Sequence, residues 1–274
     1  MLPLLNRLQG KTQRTAFRER KRWQQRRRPR AADPRGLFIF GVQRSGTNML
    51  LDMLDQSLDT WVYNEDHPKA FDNYRIKALD PRNLLIYRAG CEWVAFKSIC
   101  DMHLADQILD GHPTSKSLWI FRSYKDAANS AVAKWDQTAL IRLLVEVDKK
   151  RYWFNERIAP DVLNLVRGFH DGGLSNIEAS MLKWYVRNLL YFELSIDQRA
   201  DQVLLIHYET LVSNPKVEGQ RVFDFLGLPF ETRYTRQLVD SSVGKTPFPD
   251  VNPEIARLCE ELYQRLLERI PIAI

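Results

Sequence analysis

The chain has 274 residues, 45% of them apolar and 27% charged, which suits one sizeable globular domain. No run of about 18 apolar residues occurs, and the apolar start Met1-Leu2-Pro3-Leu4-Leu5 is too short for a secretory signal. Composition therefore excludes a membrane-spanning helix and predicts a cytoplasmic protein. Its three scattered cysteines, Cys91, Cys100 and Cys259, predict buried free thiols rather than disulfides or a zinc site.

The net charge of +6 is unevenly spread. Residues 1–36 hold twelve Lys/Arg against two Asp/Glu, leaving twenty-eight against thirty-two in a mildly acidic body. Residues 1–35 thus read as a basic arm, with Arg18-Glu19-Arg20-Lys21-Arg22 and Arg26-Arg27-Arg28-Pro29-Arg30 at its centre. Like charges repel and little apolar surface is available, so the second half of the arm is expected to be mobile. It is either a tether to anionic lipid, nucleic acid or acidic polymer, or a solvated extension.

Leu37-Phe38-Ile39-Phe40 predicts a strand buried on both faces, and Leu50, Met53 and Leu54 recur at helical spacing after it. Between them Gly41 and Gly46 allow a tight loop whose N–H groups, with the helix N-terminus, suit an oxyanion. The spacing Gly41-x4-Gly46 is that of a nucleotide-binding P-loop, but Thr47 stands where its Lys would be and the cation is Arg44. Gly41-x-x-Arg44-Ser45-Gly46-Thr47 after a buried strand instead resembles the 5′-phosphosulfate loop of sulfotransferases that use 3′-phosphoadenosine-5′-phosphosulfate (PAPS). The resemblance implies that Gln43, Arg44, Ser45, Gly46, Thr47 and Asn48 bind the donor.

Thr60-Trp61-Val62-Tyr63 predicts a second strand, followed by Glu65 and Asp66. A carboxylate beyond a strand end, beside an anion loop, is placed for general-base work. In the tyrosylprotein and related sulfotransferases a glutamate follows the loop arginine at the distance separating Arg44 from Glu65. That makes Glu65 the expected base and Asp66 its competitor. Residues 66–90 read as helix and loop. Glu92 to Ser98 predicts a strand with Lys97 at its carboxyl end, where sulfotransferases often carry a catalytic Lys. His103 reads as structural.

Ser117 to Phe121 predicts a strand leading to Arg122, with Asp126 expected to cap a helix from Ala127 to Trp135. Ser130 and Lys134 would share a face of that helix and, with Arg122, could hold a phosphate. Arg122-x7-Ser130 resembles the family's 3′-phosphate motif, with Ser123 and Tyr124 replacing its usual Asn and Pro. Asp136 to Phe154 reads as amphipathic helix and His170-Asp171-Gly172-Gly173 as a loop. The stretch 137–174 is the expected acceptor-binding cap. Ser175-Asn176-Ile177-Glu178 reads as a capping box.

Gln202 to Glu209 predicts the last strand. Tyr208-Glu209-x-Leu211-x3-Pro215 and Phe225-Leu226-Gly227-Leu228-Pro229 resemble the carboxy-terminal half of sulfotransferases, which puts Tyr208 near adenosine. Ser241-Ser242-Val243-Gly244-Lys245 resembles the late loop on the 3′-phosphate, so Lys245 is a further expected ligand. Asn252-Pro253-Glu254 opens a final helix.

The resemblance implies a three-layer α/β/α domain over 36–274, with a mainly parallel sheet and a P-loop-like sulfotransferase fold. It implies transfer of a sulfuryl group from PAPS to a hydroxyl or amine on a carbohydrate, glycolipid, protein or small molecule. No metal is implied, and nucleic acid has no role in this reading. The alternatives are a P-loop nucleotide kinase or hydrolase, and a non-enzymatic protein that binds anionic surfaces or nucleic acid through its arm.

Overall fold

The computed structural model describes residues 15–146, 154–238 and 243–270. Five parallel strands form the central sheet: β1 (Arg35–Phe40), β2 (Thr60–Tyr63), β5 (Trp93–Lys97), β6 (Lys116–Phe121) and β7 (Val203–His207), in the order β2-β5-β1-β6-β7. Strands β3 (Phe71–Asp72) and β4 (Arg75–Ile76) make a separate antiparallel pair. With β1 in the middle, the chain goes first to edge strand β2, returns to β5 beside β1, and then crosses to β6 and β7 on the other side. The carboxyl end of β1 is therefore the switch point where open α/β sheets bind ligands.

Alternation along β1 divides the core in two. Phe38 and Phe40 join one apolar cluster, Leu37 and Ile39 the other, and all four are fully buried. The second cluster is covered by α2 (Thr47–Asp55), α9 (Tyr208–Ser213) and α10 (Pro215–Leu226), through residues such as Leu50, Leu54, Leu211 and Phe223. The first is covered by α3 (Leu79–Ala89), α4 (Ala105–Asp110), α5 (Tyr124–Val132), α6 (Gln137–Val145), α7 (Pro160–Asp171), α8 (Asn176–Glu193) and α11 (Pro253–Leu267). Three layers, helix, sheet and helix, result, as the sequence implied.

The local signals act as read. Ser175 accepts from Glu178 N while the Glu178 side chain accepts from Ser175 N, so α8 opens on a complete capping box. Asn252 accepts from Glu254 N, with Pro253 at the first turn of α11. Gly227 closes α10 at φ 68°.

Several readings differ. Residues 66–90, read as helix and loop, also hold the β3–β4 pair, and Tyr208 and Glu209, read as the end of the last strand, open α9 instead. His170 and Asp171 lie in the last turn of α7 rather than in a loop. The segment read as helix from 136 ends at Val145 within the described residues, and 147–153 lie outside them. Asp126 does not cap α5, whose N-cap is Ser123; it sits in the first turn and is tied elsewhere.

A further difference concerns the arm. Residues 15–26 are helical (α1), and Lys21 is buried with its Nζ donating to the Asp55 carbonyl at 2.6 Å and to Asp55 Oδ1 at 2.7 Å. Gln25 Nε2 donates to the carbonyls of Leu58 and Thr60, both at 2.8 Å, and so covers edge strand β2. Arg28 pairs with Asp59 at 2.7 Å. The second half of the arm is thus docked rather than mobile, because acidic and carbonyl partners far along the chain neutralise part of its charge. Residues 1–14 lie outside the described residues.

Candidate active site

Two glycines shape the loop between β1 and α2. A Cβ on Gly41 would come within 2.5 Å of the Ile120 carbonyl oxygen, so only glycine lets the loop pass β6 this closely. Gly46 has φ 92°, and a Cβ there would meet the Tyr208 ring at 2.3 Å. Arg44, between them, also holds a positive φ, 75°, a conformation costing a non-glycine residue about 1–3 kcal/mol. Ser45 N donates to the Val42 carbonyl at 3.1 Å and closes the turn. The first N–H groups of α2 have no acceptor within the helix and carry its positive dipole end.

Lys97 ends β5 with its side chain almost wholly buried. Its Nζ donates to Asn48 Oδ1 at 2.6 Å and stands 2.5 Å from Glu65 Oε2. That carboxylate oxygen lies off any hydrogen-bond line, so its contact with Lys97 is ionic. Asp66 is exposed and accepts from Asn64 Nδ2 at 2.9 Å.

Arg122, at the carboxyl end of β6, lies with its guanidinium 4.6 Å from the centre of the Tyr208 ring. It also donates to the Arg44 carbonyl at 3.4 Å and pairs with Asp126 at 3.6 Å. Arg44 Nε donates to Ser130 Oγ at 2.8 Å, joining the glycine loop to α5. Glu209 accepts from Ser123 N at 2.9 Å and so fixes the turn that presents Arg122.

These groups surround a cavity of about 390 Å³ at the carboxyl edge of the sheet. Gln43, Arg44, Gly46, Thr47, Asn48, Glu65, Lys97, Arg122, Ser130 and Tyr208 line it. Three cations against one carboxylate give it a positive field suited to an anionic ligand. Thirteen residues line it in all, and Met49, Ile99 and Trp135 are the three that sequence reasoning did not select. Trp135 lies just beyond the end of α5 and is half exposed, a signal that an aromatic at a helix exit can provide.

Three expected ligands lie apart from the cavity wall. Ser45 is fully buried, with its Oγ unpartnered. Lys134 is exposed because α5 ends at Val132, one residue before its C-cap Ala133, so helical register with Ser130 is lost. Lys245 is exposed on its loop, although Gly244 N donates to both Asp126 carboxylate oxygens at 3.1 and 3.2 Å and brings that loop to the Arg122 side. Ser241 and Ser242 lie outside the described residues. No described residue of 137–174 lines the cavity. His103 is sealed in the interior, where burial, followed by the Arg187, Arg75 and Arg157 charges, pushes its pKa down to about 3.

Residues 34–248 match the sulfotransferase domain family. The chain belongs to that family. This sulfotransferase shares its fold with the sulfotransferase domain from the curacin biosynthetic pathway, at 15% identity and a TM-score of 0.55, covering 85% of this chain and 99% of that one. It is also similar to a sulfotransferase from Alicyclobacillus acidocaldarius, at 20% identity and a TM-score of 0.48 over 88% and 95% of the two chains. A mouse sulfotransferase complexed with adenosine 3′,5′-bisphosphate (PAP) matches at 12% identity and a TM-score of 0.45, over 86% of each chain. Comparison with curated proteins gives no match.

Proposed function

We propose that this sulfotransferase moves a sulfuryl group from PAPS to an acceptor hydroxyl or amine, with Glu65 as general base. One arrangement carries the reading: Arg44, Lys97 and Arg122 converge with Glu65 on a single cavity beside a glycine loop and a helix N-terminus. PAPS supplies the sulfuryl group and leaves as PAP. Gln43, Gly46, Thr47 and Asn48 are the residues to hold its 5′ end, Arg122 and Ser130 its 3′-phosphate, and Tyr208 the adenosine side.

Within that frame each side chain has a task. Glu65 accepts the proton of the attacking group, and Lys97, 2.5 Å away, orients the carboxylate and offsets negative charge on the transferred oxygens. Asn48 holds the other side of the Lys97 ammonium. Arg44 contributes a second cation, and its bond to Ser130 is one that a bound phosphate would replace with charge-assisted bonds to both residues. Trp135, Ile99 and Met49 form the apolar wall available to an acceptor.

The test uses radiolabelled PAPS with panels of alcohols, carbohydrates, phenols and amines. Glu65→Gln should lower turnover about 10²–10⁴-fold while PAP still binds, because size is kept and basicity removed. Asp66→Asn should change turnover little. Loss of activity in Asp66→Asn with Glu65→Gln still active would contradict the assignment of the base.

A further inference from the structure

A second and larger cavity, about 710 Å³, runs between α1 with the segment after it and helix α3. Six cations line it: Arg22, Arg26, Arg28, Arg30, Lys69 and Arg88. No carboxylate stands among the described lining residues. Three of the six have local work. The Arg22 guanidinium lies 4.9 Å from the centre of the Trp61 ring, Arg28 pairs with Asp59, and Arg30 donates to the Tyr87 carbonyl at 2.7 Å. Arg26, Lys69 and Arg88 make no ion pair or side-chain hydrogen bond among the described residues, and all three are exposed. Holding these like charges together without counter-charge costs self-repulsion, which an anionic partner would relieve.

The surroundings of the groove are apolar where solvent alone would favour polar groups. Leu84 forms part of its wall at 46% exposure. Tyr87, 70% exposed, stacks with Arg30, and Trp23, 53% exposed, stacks with Arg27 at 3.4 Å. Exposed Trp, Tyr and Leu beside a cation cluster match the chemistry of a membrane interface, where rings sit at headgroup level and an aliphatic chain meets the acyl boundary. A nucleic acid or acidic polysaccharide would use the cations and rings but leave Leu84 without a partner.

We propose that this groove docks the protein on an anionic lipid surface, with phosphate-bearing headgroups between α1 and α3. The groove follows edge strand β2 as far as Tyr63, and Glu65 lies two residues further on. Docking therefore sets the catalytic cavity at a fixed side of the bilayer, and it does not depend on which group is transferred.

The experiment is co-sedimentation of the full chain with phosphatidylcholine vesicles, with and without phosphatidylglycerol. Binding should require phosphatidylglycerol and fade at raised salt. Arg26→Gln with Arg88→Gln should lower the partition coefficient about 20- to 30-fold, roughly fivefold for each cation removed. Lys69→Gln alone should lower it about fivefold. The charge-matched pair Lys216→Gln with Arg236→Gln, exposed and outside the groove, should leave it unchanged. Leu84→Ser should weaken vesicle binding but not binding to inorganic polyphosphate. Each variant should keep the thermal shift that PAP gives the parent protein, which separates loss of docking from loss of fold or of the nucleotide site. Equal loss in the control pair would overturn the groove in favour of diffuse charge. So would no preference for phosphatidylglycerol, or binding to single-stranded RNA or polyphosphate that groove variants abolish while vesicles bind neither parent nor variant.

Discussion

At Gly46 two requirements fall on one missing atom. Its φ of 92° is costly for any side chain, and a methyl group would meet the Tyr208 ring at 2.3 Å. Gly46→Ala should therefore cost more than about 1 kcal/mol of stability and displace the ring that stacks on Arg122. Thermal melting should show both a lowered midpoint and loss of the PAP-induced shift; a full shift in the variant would mean that the ring does not matter to the ligand. This glycine, Arg44, Thr47, Asn48 and the strand-end residues Lys97 and Arg122 are legible in the sequence, because strand and loop boundaries fix them by position. Lys134 is not, since its direction depends on where α5 stops, and an Ala-rich stretch carries no stop signal. The contact of Asn48 with Lys97 joins α2 to β5 and has no signature in either segment alone.

Between elements, partners lie too far apart in sequence for local reading. The basic arm reads as a charge run, yet Lys21 finds Asp55 across 34 positions and becomes buried. Burial lowers the Lys21 pKa while the Asp55 carboxylate counters that effect. Lys21→Met should leave Asp55, among the described residues, with the Arg18 guanidinium at 3.5 Å as its remaining cation, at a cost of about 2–3 kcal/mol. Urea unfolding would measure the loss, and faster tryptic cleavage within α1 should accompany it. A second junction ties the β3–β4 pair to the interior. Arg75 pairs with Asp101 at 2.5 Å and approaches His103 Nε2 at 3.2 Å, while Glu156 reaches the same nitrogen at 3.1 Å.

That junction predicts a pH dependence. Unfolded, His103 takes up a proton near pH 6.5; folded, it does so only near 3. Between those values the unfolded chain binds more protons, so stability falls as pH drops below about 6.5, by up to about 1.4 kcal/mol per unit. Asp101, whose pKa burial raises, acts in the opposite sense at the acid end. The stability gap between the parent protein and His103→Asn should accordingly narrow from pH 7 to pH 4 in denaturant titrations. A constant gap would show that His103 takes up its proton at the same pH folded and unfolded, and would contradict a lowered folded pKa.

For the molecule as a whole, the fold class was readable because each sheet strand is an apolar run and β1 serves two clusters by simple alternation. Strand order was not, since nothing local states that β5 inserts between β1 and β2. The same split holds at the site. The cationic loop and the Arg122-x7-Ser130 spacing could be read, whereas the Met49, Ile99 and Trp135 wall is assembled from three separate elements. The central claim is that the cavity reads both ends of a 3′,5′-bisphosphorylated adenosine, and thermal unfolding with PAP, AMP and Mg²⁺-ATP tests it most directly. At about 100 times its dissociation constant PAP should add roughly 2.7 kcal/mol, far more than AMP at the same concentration, and Mg²⁺ should not alter its effect. Ser130→Ala should bring the PAP shift toward that of AMP. Equal shifts from AMP and PAP, or a larger one from Mg²⁺-ATP, would contradict the account.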